Sequence, residues 1–212
     1  MRSRGRVSTS GFQIAIAAIL TFPPDEHTAC SACGMKPGKR WVAQVQPSDD
    51  PDAWVPVVNE IPSGSSCKYR LDKTTGQLAL ARVLRDATYP ANYGFVPGTR
   101  GADDEELDIL VLTGEPLLPL TIVRAHVIGG FVERASDQAE PEERLLATAI
   151  DDPGVADVHG VDGELRGRIE AFVRTYKQDQ GIEVAFEGWL DRTAALDRLR
   201  RGFRRAKKRP AK

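Results

Sequence analysis

Apolar and polar positions alternate through the middle of the chain and change period toward its end. Val57-Val58-Asn59-Glu60-Ile61 is a short apolar run closed by Pro62, and Ser63-Gly64-Ser65-Ser66 is a turn cluster. Cys67 to Leu71 alternates as a half-buried strand does, Lys73-Thr74-Thr75-Gly76 makes a hairpin turn, and Gln77 to Leu84 is its partner. Further strands are expected at Ile109–Leu112, Thr121–Val132, Leu145–Ile150 and Glu183–Trp189. The period then lengthens. Within Glu164–Gln178, the side chains of Leu165, Ile169, Phe172, Val173 and Tyr176 share one helical face, and a last helix from about Thr193 to Lys207 carries Leu196, Leu199 and Phe203 on its inner stripe. Many strands, then helix, strand and helix, predict an α+β, mainly β fold: a small barrel-like sheet with two main helices packed outside it.

Before Val57 the pattern fades. Residues 36–56 are polar with Pro47, Pro51 and Pro56, and read as a loose lead-in. Arg2, Arg4 and Arg6 precede an apolar run from Phe12 to Phe22, which has the look of a signal peptide. The run falls short of the roughly 20 residues a membrane span needs, and Pro23-Pro24-Asp25-Glu26 follows it in place of a cleavage site. Residues 1–35 are therefore expected to be a mis-assigned or disordered extension, with ordinary protein from Met35 and one domain over 57–212 ending in a basic tail.

Bulk composition narrows the function classes. The 212 residues are 41% hydrophobic and 28% charged, with a formal net charge of −1. That is ordinary for a globular protein and gives no global pull toward nucleic acid or membrane. The basic run from Arg198 to Lys212 is expected to be a solvated helix end. Three cysteines, Cys30, Cys33 and Cys67, make a poor disulfide framework and point to a reducing, cytoplasmic setting; Cys30, Cys33 and His27 do not complete a zinc site.

Four local groups bear chemistry. Asp103-Asp104-Glu105-Glu106-Leu107-Asp108 runs carboxylates directly into an apolar strand. A lone acidic run is usually a surface loop, but several hard cations need several converging oxygen ligands, and Asp108 stands where strand begins. Asp137 and Glu142, followed by Arg144, form a second acidic group. Tyr89-Pro90-Ala91-Asn92-Tyr93-Gly94 is either turn chemistry with aromatic packing or a source of hydroxyl donors. Lys68, Arg70, Arg82 and Lys177 are basic, and Lys68 and Arg70 share a strand face. Basic groups facing carboxylates suit an anion bridged to metals.

Taken in order, these groups resemble the soluble (type I) inorganic pyrophosphatases, of which the chain looks like a divergent member. Glu60-Ile61-Pro62, Lys68-Tyr69, Asp72-Lys73 with Gly76, Arg82, Tyr89-Pro90-Ala91-Asn92-Tyr93-Gly94, the carboxylates from Asp103 to Asp108, Asp137 to Arg144, and Tyr176-Lys177 carry the resemblance. It implies an OB-like closed five-stranded β-barrel, hydrolysis of pyrophosphate to two phosphates with several Mg2+ ions (Mn2+ as the alternative), and a homo-oligomer, commonly a hexamer in bacteria. It implies metal ligands at Asp103, Asp108, Asp137 and Glu142, and Glu60 orienting metal-bound water. Glu105 would be the general base, working with Asp108 and Tyr93 at the reacting centre. Lys68, Arg82, Tyr89, Tyr93, Arg144, Tyr176 and Lys177 would bind phosphoryl oxygens.

The departures from the family pattern are local. Arg70 stands where the family has a glutamate, Glu105 and Glu142 where it has aspartates, and Arg144 where it has a lysine. Asp104 and Glu106 replace the glycine and proline of the metal loop. Arg70 is expected to pair with Glu106 or Asp104, or to meet the anion directly. A competing reading is a weakened paralogue that binds a phosphoanhydride or nucleotide. A nucleic-acid-binding barrel is disfavoured, because carboxylates stand where such a groove needs basic and aromatic side chains.

Overall fold

Every residue of the first strand, β1 (Val55–Ile61), is buried, which requires neighbours on both of its faces. The computed structural model supplies them; it describes Val42, Val45 and residues 48–208 apart from Thr74 and Pro153, within a compact unit Lys36–Lys212. Residues 1–35, with His27, Cys30 and Cys33, lie outside the described residues.

The remaining strands are β2 (Cys67–Asp72), β3 (Gln77–Val83), β4 (Asn92–Val96), β5 (Leu107–Leu112), β6 (Ile122–Ala135), β7 (Glu142–Ala149) and β8 (Val184–Leu190). Strands β1-β4-β5-β7-β6 pair in that order, and β6 pairs back onto β1, so five strands close a ring. Closure removes the open edges of the sheet, leaving β8 as a spur on β6 and β2–β3 as a separate hairpin. The closed, mainly β ring with two flanking helices is the fold expected from the sequence.

Helix α1 (Gly163–Thr175) starts at Asp162, whose side chain accepts from the amides of Glu164 and Leu165. It buries Ile169, Phe172 and Val173 against Tyr89, Leu110, Phe131 and Leu146 on one face of the ring. Each such apolar side chain contributes about 1.5–3 kcal/mol of burial. The helix stops short of the expected Gln178, because a tight turn over Gln178–Gln180 ends at Gly181 in the left-handed conformation, φ 71°. Helix α2 (Arg192–Lys208) buries Ala195, Leu196 and Leu199 in a second core with Val57, Val96, Ile109 and Leu145. At Gly202 it lies so close to Leu107 that an added Cβ would stand 2.6 Å from Leu107 Cδ1. The Gly202 carbonyl also accepts from the Arg100 amide, so α2 braces the start of β5.

Three further expectations shift. β1 begins at Val55 rather than Val57, because Val55 and Pro56 pair with Ala125 and Arg124. The stretch read as a turn around Asn92-Tyr93-Gly94 is strand β4, fully buried. Its turn-like composition has other causes: Asn92 Oδ1 accepts from the amides of Ser63 and Leu117, and Gly94 lets β4 approach β1 so closely that any Cβ would strike the Val58 carbonyl. The basic C-terminal helix is also more docked than expected. Arg198 and Arg201 contact Glu143, and Arg200 pairs with Asp52 and Asp197.

Candidate active site

Two adjoining clefts meet at the loop before β5. The first, about 300 Å3, is lined by Glu60, Lys68, Arg70, Lys73, Tyr93, Phe95, Asp103, Glu105, Glu106 and Asp108. The second, about 310 Å3, shares Asp103, Glu106 and Asp108 and adds Glu142, Glu143, Arg144 and Arg198. Strand β2 carries the basic wall, the loop before β5 the carboxylate wall that both clefts share, and the start of β7 lines the second cleft alone. Most of the sequence-predicted groups line these clefts; Tyr89 and Tyr176 meet Tyr93 and Arg144 in a smaller adjoining cavity, Arg82 and Lys177 line neither cleft but stand near Lys68, and Asp137 is exposed and lines neither.

The carboxylate wall is a tight loop. Asp103 Oδ1 accepts from the Glu105 amide, and the Gly101 amide donates to the Glu105 carbonyl at 2.6 Å. Asp104 sits at φ 67°, a conformation that Asp tolerates better than most side chains, which accommodates an aspartate where the family places glycine. Glu106 pairs with Lys73 and Asp104 with Arg100. Lys73, two residues beyond the end of the alternating run on β2, is thus the partner the sequence reading did not name. Arg70 lines the same cleft as these carboxylates.

The basic wall is crowded. Lys68 is pushed down to about 8, by burial first and then by repulsion from Arg144, Arg82, Arg70 and Lys177. Four cations gathered around a lysine are unfavourable for one another and for it, and favourable for an anion of high charge. Arg82 is oriented by the Tyr176 carbonyl at 2.7 Å and by Asp179 at 3.3 Å. Glu60 lines the cleft but is mostly buried, with Oε1 accepting from the Leu71 amide at 2.6 Å. Burial raises its pKa, and the Leu71 amide pulls the other way.

The floor is aromatic. Tyr89, Tyr93 and Tyr176 are buried, with Tyr89 packed at 5.3 Å from Tyr93 and 4.7 Å from Phe172 between ring centroids. Burial raises all three phenols, so they remain donors. Arg144 crosses this floor. Its Nε donates to Glu133 Oε1 at 2.9 Å, Nη1 to the Tyr93 hydroxyl at 2.6 Å and to Asp108, and Nη2 to Glu142 at 2.5 Å. Glu133 is only 3% exposed and also accepts from the Tyr176 hydroxyl at 2.8 Å. Burial pushes its carboxyl up to about 7 and Glu142 adds to the rise, while the bond from Tyr176 and the charges of Lys177 and Lys68 favour the ionised form. The sequence reading missed Glu133; the only signal was a charged residue on the inward face of an otherwise apolar stretch of β6.

Among the described residues no three Asp, Glu, His or Cys side chains stand close enough, as they lie, to hold one ion together. The donor set nonetheless suits a hard cation: Asp103, Asp108 and Glu142 line one cleft, all with carboxylate oxygens.

A closed ring that gathers carboxylates on one wall and lysine, arginine and tyrosine on the other defines a protein that handles a small, highly charged anion. The chain belongs to the inorganic pyrophosphatase family, whose model matches residues 57–207. It is 39% identical over 150 residues to soluble inorganic pyrophosphatase 2 of Chlamydomonas reinhardtii, covering 69% of this chain and 77% of that one. It is 38% identical over 156 residues to the inorganic pyrophosphatase of Streptomyces coelicolor, covering 71% and 94% respectively. The solved inorganic pyrophosphatase of Helicobacter pylori superposes with a TM-score of 0.72 at 32% identity, over 76% of this chain and 98% of that one. Among the described residues no helix is long and apolar enough to cross a membrane.

Proposed function

We propose that this protein hydrolyses inorganic pyrophosphate to two phosphates with divalent cations, Mg2+ before Mn2+. The observation that carries this reading is the pairing of walls in one cleft: Asp103, Glu105 and Asp108 face Lys68 and Arg70, with Arg82, Arg144 and Lys177 near enough to depress Lys68. Asp103, Asp108 and Glu142 are the residues to hold cations in the cleft; Asp137, outside it, would join only by movement of its loop. When bound, such cations lower the pKa of water and clamp attacking and leaving oxygens.

The chain's own side chains divide the remaining work. Glu105, with its side chain 56% exposed at the cleft mouth and Lys73 Nζ 3.7 Å away, is the group to take the proton of the attacking water. Lys68, Arg82 and Lys177 neutralise phosphoryl oxygens, and the Tyr89 and Tyr93 hydroxyls at the floor donate to charge that develops on the leaving phosphate. Glu60, tied to the Leu71 amide, holds β2 against β1 and keeps the basic wall in place. Membership of the family supports a homo-oligomer, with a hexamer expected from light scattering of the purified protein, and cytoplasmic location.

The test is phosphate release from pyrophosphate, with Mg2+ and with the metal chelated, for the wild type and Asp108→Asn. Release should depend on metal and fall on the order of a hundredfold or more in the variant. The contact of Arg144 with both Asp108 and Glu142 favours a second reading, a weakened paralogue that binds a phosphoanhydride. Metal-independent or negligible release in the wild type would establish that reading instead.

A further inference from the structure

Arg144 does not lie where a phosphate donor alone would need to be. Its guanidinium spends both Nη atoms on Asp108, Glu142 and Tyr93, and its Nε on Glu133. Its side chain is 12% exposed and that of Glu133 3%. Asp108 and Glu142 are two of the carboxylates assigned above to cations, so an arginine already compensates the charge that a cation would. A planar fork can touch several acceptors at once only when its orientation is held, and here the holding group is Glu133, from below. Tyr176 completes the anchor: its hydroxyl donates to the same Glu133 oxygen that accepts from Arg144.

We propose that Glu133 is a positioning residue that lodges Arg144 as a resident cation of the carboxylate cluster, so that the Glu133–Arg144 pair sets how tightly a divalent cation binds before substrate arrives. The inference rests on the reading of Asp108 and Glu142 as cation-holding groups. A cation entering at Asp108 or Glu142 competes with the guanidinium for the same oxygens. An anion in the cleft offers Arg144 new acceptors and relieves that competition. Metal and anion then bind with positive coupling, and the coupling resides in one side chain with two sets of partners.

Two substitutions move the binding in opposite directions. Arg144→Lys keeps the charge but has a single ammonium in place of the fork, so it cannot reach Asp108, Glu142 and Glu133 together in this arrangement. Glu133→Gln keeps an acceptor for Nε but removes the counter-charge, which leaves the guanidinium bound more strongly to Asp108 and Glu142. Mn2+ binding to the full chain, followed by the electron paramagnetic resonance signal of free Mn2+ without substrate, reads both. We expect Arg144→Lys to bind Mn2+ about fivefold or more tighter than wild type and Glu133→Gln about fivefold or more weaker. With methylenediphosphonate present, the gap between wild type and Arg144→Lys should narrow. A purely structural role would weaken binding in both variants or leave both unchanged, and either result overturns the proposal. Opposite shifts in Mn2+ affinity together with no pyrophosphate hydrolysis would uphold the proposal and sink the hydrolase reading.

Discussion

The floor and the rim of the cleft are built on different physical terms. The floor, Tyr89, Tyr93, Tyr176, Glu133 and Arg144, sits in or directly on the core beneath α1 and is locked by buried hydrogen bonds. The rim, Asp103 to Glu106, is an exposed loop held by its own backbone and by ion pairs with Lys73 and Arg100. Donors to a developing charge act best when they cannot reorganise, so they belong in the floor. Ligands for hydrated cations must exchange with water, so they belong at the rim. Asp108, half-buried at the junction where loop becomes β5, partakes of both.

The floor depends most strongly on Gly94. An alanine there drives its Cβ into the Val58 carbonyl and separates β4 from β1, taking Tyr93 out of the floor. We expect a loss of about 3 kcal/mol in urea unfolding, together with loss of activity. A Gly94→Ala protein with unchanged stability would mean that the floor is not held by this close approach.

A smaller effect sharpens the contrast from the basic wall. The depressed pKa of Lys68 means that the free protein gives up this proton as pH rises through about 8, instead of near 10.5. Attraction for the anion is present below that value and lost above it, so kcat/KM should fall above pH 8. Lys68→Arg remains charged and should move the falling limb upward by more than about one pH unit. Coincident profiles would assign the limb to another group. The same shift makes the folded state gain stability as pH rises from about 8 to 10.5, because there the unfolded chain binds the proton that Lys68 has lost.

The smallest effect is expected at the rim. Asp104→Gly relieves the left-handed conformation while removing the pair with Arg100. These oppose each other, so stability should change by less than about 1 kcal/mol and activity by less than about twofold. A large loss of activity would show that the rim carries more preorganisation than its exposure implies.

Much of the fold was legible because period reports which face is buried. The alternation from Cys67 to Leu71 and the stripe of Ile169, Phe172, Val173 and Tyr176 both reappear as elements with the expected inner faces. Strand β4 was not legible: Asn92 and Gly94 have turn composition, and what they serve is a loop and a strand distant in sequence. The carboxylate and basic groups of the site were visible as residue types in order, and their convergence was implied by the resemblance.

The elements, the available charges and the family can all be read along the chain. Which charges meet depends on the folded ring. Arg144 was a phosphate donor in the linear reading, and Glu133 was no candidate at all. The ring pairs Glu133 on β6 with Glu142 on β7, and brings Arg144 onto Asp108 at the start of β5. Pairing across strands depends on register and closure, which no local pattern encodes; a buried carboxylate is stable there only because an arginine and a tyrosine reach it from other elements.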